Sequence, residues 1–354
     1  MKIRKIQQEY FLVIIIINDV QNTARIDALA RVCESEPRAV LLEVRQNPRR
    51  GQTSIVVALH LGSVQKYLER LVKEAVTLYS GEAFAEDFCG PGWLDSIAIV
   101  PLLISNLPMA TLMVKDVATH LANRFQLPIY FFGKNASRPQ RESLRFFRQW
   151  PVTDYSQKPE LYPDVGQQGK TASPIGSLVL GSRLYYLTFA LFLDSEELSM
   201  VQEFLKAYTD FSGLTEEERE FKNHALQKLK MQKINILQNV QTIADVWTEM
   251  DMLRIFCKIR DYQTAPLYQV YDLFDKAFQR LGLELMGMQI FGYIPLEVLV
   301  LSGRHYFKGK SLRLMDDLRF LTFALNHFRV DVVEPFDKDM QIIEFRINHL
   351  LSVN

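Results

Sequence analysis

The sequence predicts an α/β protein made of two consecutive subdomains, each a β-sheet covered by helices. In the first half, short β-branched runs alternate with stretches that carry apolar residues at helical spacing. A second alternation of this kind begins near Ile175. Between them, over residues 149–173, the periodicity fails and Pro, Gly, Gln and Lys accumulate, which indicates a linker or surface loop. The predicted subdomains are therefore residues 1–176 and 177–354.

The elements of the first subdomain follow from its apolar patterns. The apolar run 11–17 is too short to span a bilayer and no small-residue cleavage site follows it, so we interpret it as a buried strand. An apolar stripe at helical spacing predicts a helix over 64–78 that ends at Gly81. The other predicted strands are 40–44, 53–59, 96–103 and 129–132, and the other predicted helices are 23–33, 109–125 and 138–147.

The second subdomain contains one strongly predicted helix, 267–281, because Pro266 precedes it and Gly282 follows it. Residues 215–231 are highly charged and open with Thr215 and Glu218 at capping-box spacing, which predicts a solvated helix. The remaining predicted strands are 178–180, 184–193, 240–247, 253–259 and 283–288, and the remaining predicted helices are 196–208, 295–306, 312–328 and 337–351.

Composition limits the classes of partner. The 41 basic and 41 acidic residues cancel, so no whole-chain field attracts nucleic acid or an anionic membrane, and we expect neither as a partner. The cysteines Cys33, Cys89 and Cys257 lack the spacing of a zinc site or a disulfide framework. We therefore expect no bound metal and a reducing, cytoplasmic location.

A search for catalytic motifs finds none. Gly169-Lys170-Thr171 resembles the end of a phosphate loop, but Asp164 stands where that loop needs a glycine. The arginines and aromatic residues near the predicted helix 138–147 favour an amphipathic helix over a nucleic-acid surface. The six histidines lie apart in the sequence, and we interpret each as a surface or structural residue.

The stretch 79–101 carries the most unusual chemistry. Its turn-rich crossing Cys89-Gly90-Pro91-Gly92 is typical of a loop that carries a site on a rigid scaffold. It contains acidic and aromatic residues but no His, Lys or Arg. The acidic residues that precede the crossing are Glu82, Glu86 and Asp87.

Several segments, in the same order over most of the chain, resemble one known family. RDYQTAPLY at 260–268, GMQIFGYIP at 287–295 and PFDKDMQIIE at 335–344 are similar to the TDYKxTPLH, GSEIVGLVP and NFDPxQVLE segments of glutamate formiminotransferases. In the first half, LPIYFFG at 127–133 resembles the family's PVYLYG strand, and PDVG at 163–166 resembles its PDFGP segment.

This resemblance implies a homodimer of two-subdomain chains that transfers the formimino group of N-formiminoglutamate to tetrahydrofolate. Tetrahydrofolate is then the implied cofactor. The chemistry needs a general acid/base that titrates near neutral pH, and a histidine suits that role. It also needs cations or amide donors for the carboxylates of both substrates.

The family's IDMxxHxGEHPRxGAxD segment aligns with the stretch 79–101 without a gap. Its acid/base histidine falls on Phe88, its earlier histidine on Phe84, and the following proline and arginine on Cys89 and Gly90. Phenylalanine has no ionisable proton, so this change predicts loss of the activity. By the same resemblance, the expected ligand groove comprises Arg45, Gly51, Gln52, Phe84, Gly90, Asp95, Asp164, Gly166 and Arg183.

Three hypotheses follow. The favoured one is a formiminotransferase-fold protein without the activity, which acts as a binding, structural or regulatory homologue. Its partner would be another protein or an active paralogue. Its groove would be more apolar and less cationic than an enzyme's. The second is a diverged folate-dependent or other transferase in which a carboxylate of Glu82, Glu86 or Asp87 acts as acid/base, or Cys89 acts as nucleophile. The third is folate binding without catalysis.

Overall fold

The computed structural model describes residues 3–167, 173–210, 216, 218, 220, 222, 234–307 and 316–353. The chain forms two compact units, Met1–Arg183 with Ile347–Asn354, and Leu184–Arg346. Each unit has one β-sheet covered by helices, so the predicted α/β class is confirmed. Most of the predicted helix 215–231, all of Gly169-Lys170-Thr171 and the start of the predicted helix 312–328 lie outside the described residues.

The first unit contains a six-stranded mixed sheet. Its strands are β1 (Tyr10–Ile17), β2 (Ala39–Asn47), β3 (Gln52–His60), β4 (Leu94–Pro101), β5 (Ile129–Gly133) and β6 (Leu178–Ser182). Its helices are α1 (Ile3–Glu9), α2 (Thr23–Arg31), α3 (Val64–Leu78), α4 (Leu107–Phe125) and α5 (Leu144–Arg148). The strand order is β2-β3-β1-β4-β6-β5, with β6 parallel to both β4 and β5 and the other pairs antiparallel.

The predicted buried strand lies at the centre of this sheet. β1 pairs with β3 on one side and β4 on the other, which buries nearly its whole length. The predicted apolar stripe of α3, including Leu68, Leu71 and Val72, packs in the same core as Val13 and Ile15 of β1. Each such side chain contributes about 1.5–3 kcal/mol when it is fully removed from water.

Two predictions for this region are wrong. Residues 178–180 were expected in the second subdomain, but β6 pairs within the first sheet. An apolar run predicts a strand without identifying its sheet, since parallel partners are distant in sequence. The single helix predicted over 138–147 is instead a 3-10 turn, Pro139–Glu142, followed by α5. The extended Ser143 (φ −98°, ψ 132°) separates them, and its hydroxyl caps α5.

The segment 149–173 is not a linker between the sheets. Tyr155 and Leu161 are buried. The Gly90 N–H donates to the Trp150 carbonyl at 2.9 Å, and the Val152 N–H donates to the Phe88 carbonyl at 3.2 Å. These bonds attach the segment to the loop that precedes β4, so part of it contributes to the structure around that loop.

The second unit contains a four-stranded antiparallel sheet. Its strands are β7 (Leu187–Leu193), β8 (Val240–Trp247), β9 (Met252–Ile259) and β10 (Leu285–Ile290), in the order β10-β7-β9-β8. Its described helices are α6 (Leu198–Tyr208), α7 (Leu267–Arg280), α8 (Leu296–Tyr306), α9 (Asp317–Phe328) and α10 (Lys338–Gln341), and α11 (Ile343–Val353) ends the chain.

The single terminal helix predicted over 337–351 is divided into α10 and α11 at Ile342, which is extended (φ −83°, ψ 120°). The break lets the backbone pair with Ile294, because Ile294 donates to Gln341 at 2.9 Å and accepts from Ile343 at 3.1 Å. The predicted helix after Pro266 is confirmed as α7. No helix within the described ranges has both the length and the apolar character needed to cross a membrane.

Candidate functional site

A cavity of about 460 Å³ opens in the first unit where three central strands meet the loop that carries Phe88. The antiparallel register places the end of β1 beside the starts of β3 and β4, since Ile17 pairs with Thr53 and Leu94. A second cavity, of about 680 Å³, shares Asn18 and Gly51 with the first and extends along residues 19–25. The smaller cavity is lined by Asn18, Arg50, Gly51, Gln52, Phe88, Cys89 and Arg148.

Two side-chain amides are fixed at this cavity. The Asn18 amide donates to the Gly92 carbonyl at 2.8 Å, and its oxygen accepts from Gln52 Nε2 at 2.9 Å. The Asn18 backbone N–H donates to the Trp93 carbonyl at 2.9 Å. Because backbone groups of the loop hold the pair, its remaining polar atoms are pre-oriented for a ligand.

The loop itself is fastened by a close approach of two glycines. Gly92 lies opposite Gly176, and the Trp93 N–H donates to the Ile175 carbonyl at 2.9 Å. A Cβ atom on Gly92 would lie 2.0 Å from that carbonyl oxygen, so no larger residue fits. On the other side of the cavity, Gly51 adopts φ 62° to close the hairpin between β2 and β3.

An aromatic cluster, which comprises Tyr79, Phe84, Phe88 and Trp93, lies beside these amides. Trp93 stacks between Tyr79 at 4.8 Å and Phe84 at 5.2 Å, measured between ring centroids. Phe88 lies 4.9 Å from Phe84 and is half-buried at the cavity. The position that the family resemblance assigns to an acid/base is therefore part of an apolar stack.

Two arginines line the cavity with different surroundings. Arg148 forms a bidentate ion pair with the buried Asp95, with Nε 3.0 Å from Oδ1 and Nη2 2.5 Å from Oδ2. Ser96 also donates to Asp95, at 2.8 Å. Arg50 is exposed on the hairpin turn, and no carboxylate in the described part of the chain pairs with it. The cavity is thus more cationic than the sequence suggests.

The other polar groups near the aromatic cluster have structural roles. Asp19 accepts from the backbone N–H groups of Gln21 and Asn22 at 3.0 and 3.1 Å. It also accepts from the Tyr79 hydroxyl at 3.1 Å. Burial, followed by the Asp19 carboxylate, raises the pKa of Tyr79 well above its ordinary value, so this hydroxyl stays protonated at neutral pH.

No histidine of residues 3–167 and 173–183 lines the cavity. His60 ends β3, whereas Gln52 begins it, and this separates them by about 26 Å at a rise of ~3.3 Å per residue. His60 lies 3.4 Å from Glu9, and His120 lies 2.7 Å from Glu69. Both imidazoles thus face carboxylates that do not line the cavity.

The structure brings together part of the predicted site. Gly51, Gln52, Phe88 and Cys89 line the cavity, and Gly90, Phe84 and Asp95 contact its lining residues. Cys89 is exposed there. Glu86 and Asp87 are exposed on the same loop but do not line the cavity.

Arg45 and Arg183 do not line the cavity either. Arg45 pairs with Glu43 at 2.6 Å on β2. Arg183 follows β6, and its backbone N–H donates to the Ile99 carbonyl at 3.4 Å.

Asp164 and Gly166 brace β5 in the structure. Asp164 accepts from the Phe131 N–H at 2.7 Å and from Arg141 at 2.9 Å. Arg141 is fully buried and also donates to the carbonyls of Glu160 and Tyr162. Gly166 follows with φ 94°, and a Cβ there would lie 2.8 Å from the Leu127 carbonyl oxygen.

Sequence reasoning did not select Arg50, Arg148 or Trp93. Trp93 lies within the singled-out stretch 79–101, which is a usable signal. Arg50 and Arg148 belong to segments almost a hundred residues apart. Only the strand register and the position of α5 bring them to one cavity.

The two-unit α/β fold with its loop and cavity has recognisable relatives. Residues 11–183 match the N-terminal subdomain of the formiminotransferase domain, and residues 219–348 match the formiminotransferase domain. The chain belongs to the formiminotransferase family.

Individual relatives are distant. Formimidoyltransferase-cyclodeaminase of Rattus norvegicus is 23% identical over 332 residues, covering 92% of this chain and 58% of that protein. This chain thus spans little more than half of that relative. Glutamate formimidoyltransferase of Streptococcus pyogenes serotype M1 is 21% identical over 335 residues, which cover 94% of this chain and 95% of that protein. The crystal structure of pitrilysin aligns at 10% identity over 98% of this chain and 41% of that one, with a TM-score of 0.17, too low to indicate a shared fold.

Proposed function

We propose that this chain is a formiminotransferase-family protein that binds an anionic ligand at the cavity without glutamate formimidoyltransferase activity, and that it acts as a binding or regulatory homologue. The observation that carries the proposal is the side chain of Phe88. It packs against Phe84 at the cavity, in the position that the family resemblance assigns to an acid/base histidine. The homodimer that the resemblance implies is part of the same proposal.

The missing group matters because formimino transfer moves protons at a tetrahedral centre. A positioned general acid/base contributes about 10²–10⁴-fold to such a step. Phe88 cannot supply it, and the raised pKa of Tyr79 keeps that neighbouring hydroxyl from acting as a base at neutral pH. We therefore expect turnover to be lower than in an active relative by at least this factor.

Retained binding is supported by the polar half of the cavity. Arg50 provides guanidinium donors suited to a carboxylate, and Arg148 and the fixed Asn18 and Gln52 amides add further hydrogen-bond donors. Trp93 lines the adjoining cavity. These features fit N-formiminoglutamate or tetrahydrofolate as ligands that bind without reacting.

The direct test incubates purified protein with tetrahydrofolate and N-formiminoglutamate and follows formimino transfer by mass spectrometry. We expect no transfer, together with a rise in melting temperature when either compound is present, because a ligand of the native state stabilises it. Arg50→Gln, an exposed substitution, should abolish the rise. Transfer by the wild-type chain, or a melting temperature that neither compound changes, contradicts the proposal.

A second candidate is a diverged transferase that uses Cys89 as its nucleophile. The supporting observation is that the Cys89 thiol is exposed and lines the cavity. If the wild-type chain transfers the formimino group, this candidate predicts that Cys89→Ala abolishes the transfer. Unchanged transfer by Cys89→Ala would show that another group is responsible. The buried Cys257 offers the matched control, Cys257→Ala.

A further inference from the structure

We infer that Asp95 sets the charge preference at Arg148, so that the cavity takes the anionic group of a ligand at Arg50 and a neutral hydrogen-bond acceptor of the same ligand at Arg148. This inference rests on the proposed anion binding and names the ligand class. It follows from the different states of the two arginines that line one cavity.

The Arg148 charge is already matched within the protein. Asp95 is only 1% exposed, and its carboxylate accepts three contacts from Arg148, at 2.5, 3.0 and 3.2 Å. The bidentate fork uses Nε and Nη2 and leaves the hydrogens of Nη1 outside the Asp95 pair. Arg148 therefore offers oriented donors to the cavity while the pair as a whole is neutral.

This neutrality discriminates between acceptors. A carboxylate placed at Nη1 would be attracted by the guanidinium but repelled by the Asp95 carboxylate behind it, and it would lose hydration. A carbonyl or amide oxygen would accept the same hydrogen bond with a much smaller desolvation cost. The Arg148 side of the cavity thus favours a neutral acceptor.

Arg50 provides the opposite preference. It follows Arg49 on the exposed hairpin turn, and neither arginine pairs with a carboxylate in the described ranges. A ligand anion at Arg50 meets an uncompensated charge. The Asn18–Gln52 pair lines the same cavity with neutral donors and adds no charge.

Glutarate and glutaramate test this inference, because they differ only in whether one end is a carboxylate or an amide. Calorimetry at pH 7.5 should give the wild-type protein a Kd for glutaramate at least tenfold lower than for glutarate. Asp95→Asn leaves Arg148 as a net cation and should reverse the preference. Asp87→Asn removes an exposed carboxylate from the loop that carries Phe88 and should leave the wild-type preference unchanged.

The outcomes separate the inference from the proposed function. Tighter or equal binding of glutarate by the wild-type chain overturns the inference and leaves anion binding intact. Binding of neither compound at millimolar concentration overturns both. The wild-type comparison requires no substitution, so it decides the question even if Asp95→Asn fails to fold. An unchanged preference in folded Asp95→Asn also overturns the role of Asp95.

Discussion

The aromatic cluster of the first unit and a histidine cluster of the second unit both contain stacked rings, but only the histidine cluster contains imidazoles. In the aromatic cluster, Phe88 packs against Phe84, and the cavity has no imidazole among its lining residues. The histidine cluster is built on three helices. It consists of Tyr268 and Asp272 on α7, His305 and Tyr306 on α8, and His327 on α9.

Each imidazole of the histidine cluster lies on a tyrosine ring. The centroid distances are 4.4 Å for His305 on Tyr268 and 3.5 Å for His327 on Tyr306. Asp272 accepts from the Tyr306 hydroxyl at 3.0 Å and lies 3.2 Å from His305 Nε2. Burial, then Asp272, raises the pKa of Tyr306 far above its ordinary value, so the tyrosine remains a donor.

The difference teaches that cavity chemistry and pH response are built into separate elements. Imidazoles are the side chains whose ordinary pKa lies near neutral pH. Two of them, His305 on α8 and His327 on α9, lie near the same carboxylate, Asp272. The cavity offers guanidinium and amide groups, whose charge does not change in that range. Ligand binding should therefore vary little with pH, whereas the stability of the second unit should vary.

A buried ion pair of the first unit and an exposed ion pair of the second give the largest expected effect. Arg141 and Asp164 in the first unit are 2% and 11% exposed, whereas Arg254 and Asp245 in the second are 26% and 45% exposed. Asp164→Ala leaves the buried guanidinium unpaired and should cost about 3–5 kcal/mol of unfolding free energy. Asp245→Ala should cost about 0–1 kcal/mol. Urea unfolding measures both, and equal costs would contradict the difference in burial.

The next effect concerns the loop that holds the aromatic cluster in place. Gly92→Ala puts a methyl group 2.0 Å from the Ile175 carbonyl oxygen, a backbone atom that cannot rotate away. We expect a loss of about 3 kcal/mol in unfolding free energy and weaker ligand binding. Gly62→Ala is the matched control, because its methyl group would meet only the His60 ring, at 3.6 Å. A stable Gly92→Ala protein with unchanged binding would show that the loop is not fastened there.

Local pattern predicts much of the fold. The β-branched run of β1 and the apolar stripe of α3 specify their elements because both periods are local properties. The assignment of β6 failed because its partners β4 and β5 are fixed by tertiary packing. The division at Ile342 was missed for a similar reason, since its backbone pairs with the distant Ile294.

The site divides in the same way. Phe88 and Cys89 are found from a motif register, because one loop carries them both. Arg148 is not, since its role depends on α5 and on the buried Asp95, neither of which the local pattern locates. The helix predicted over 138–147 places Arg148 just beyond its end, whereas the true α5 ends on Arg148. Side-chain pairing across segments is the information that a single sequence lacks.

The smallest expected effect is the pH dependence of the histidine cluster. Burial lowers the pKa of His327 below its ordinary 6.5, and this outweighs the opposite effect of Asp272 and Asp275 on α7. His305 and Arg329 act in the same direction as burial. The unfolded chain therefore binds more protons than the native one as the pH falls below about 6.5, so stability should decrease in that range.

His327→Gln tests this directly, because glutamine does not titrate. Between about pH 7.5 and pH 5 the wild-type urea midpoint should fall more steeply than that of His327→Gln, in proportion to the proton that His327 takes up only on unfolding. Asn326→Gln changes the neighbouring exposed position on α9 and should retain the wild-type slope. If ligand binding at the cavity also changes over this range and His327→Gln removes that change, then the two clusters are coupled and the separation argued above is wrong.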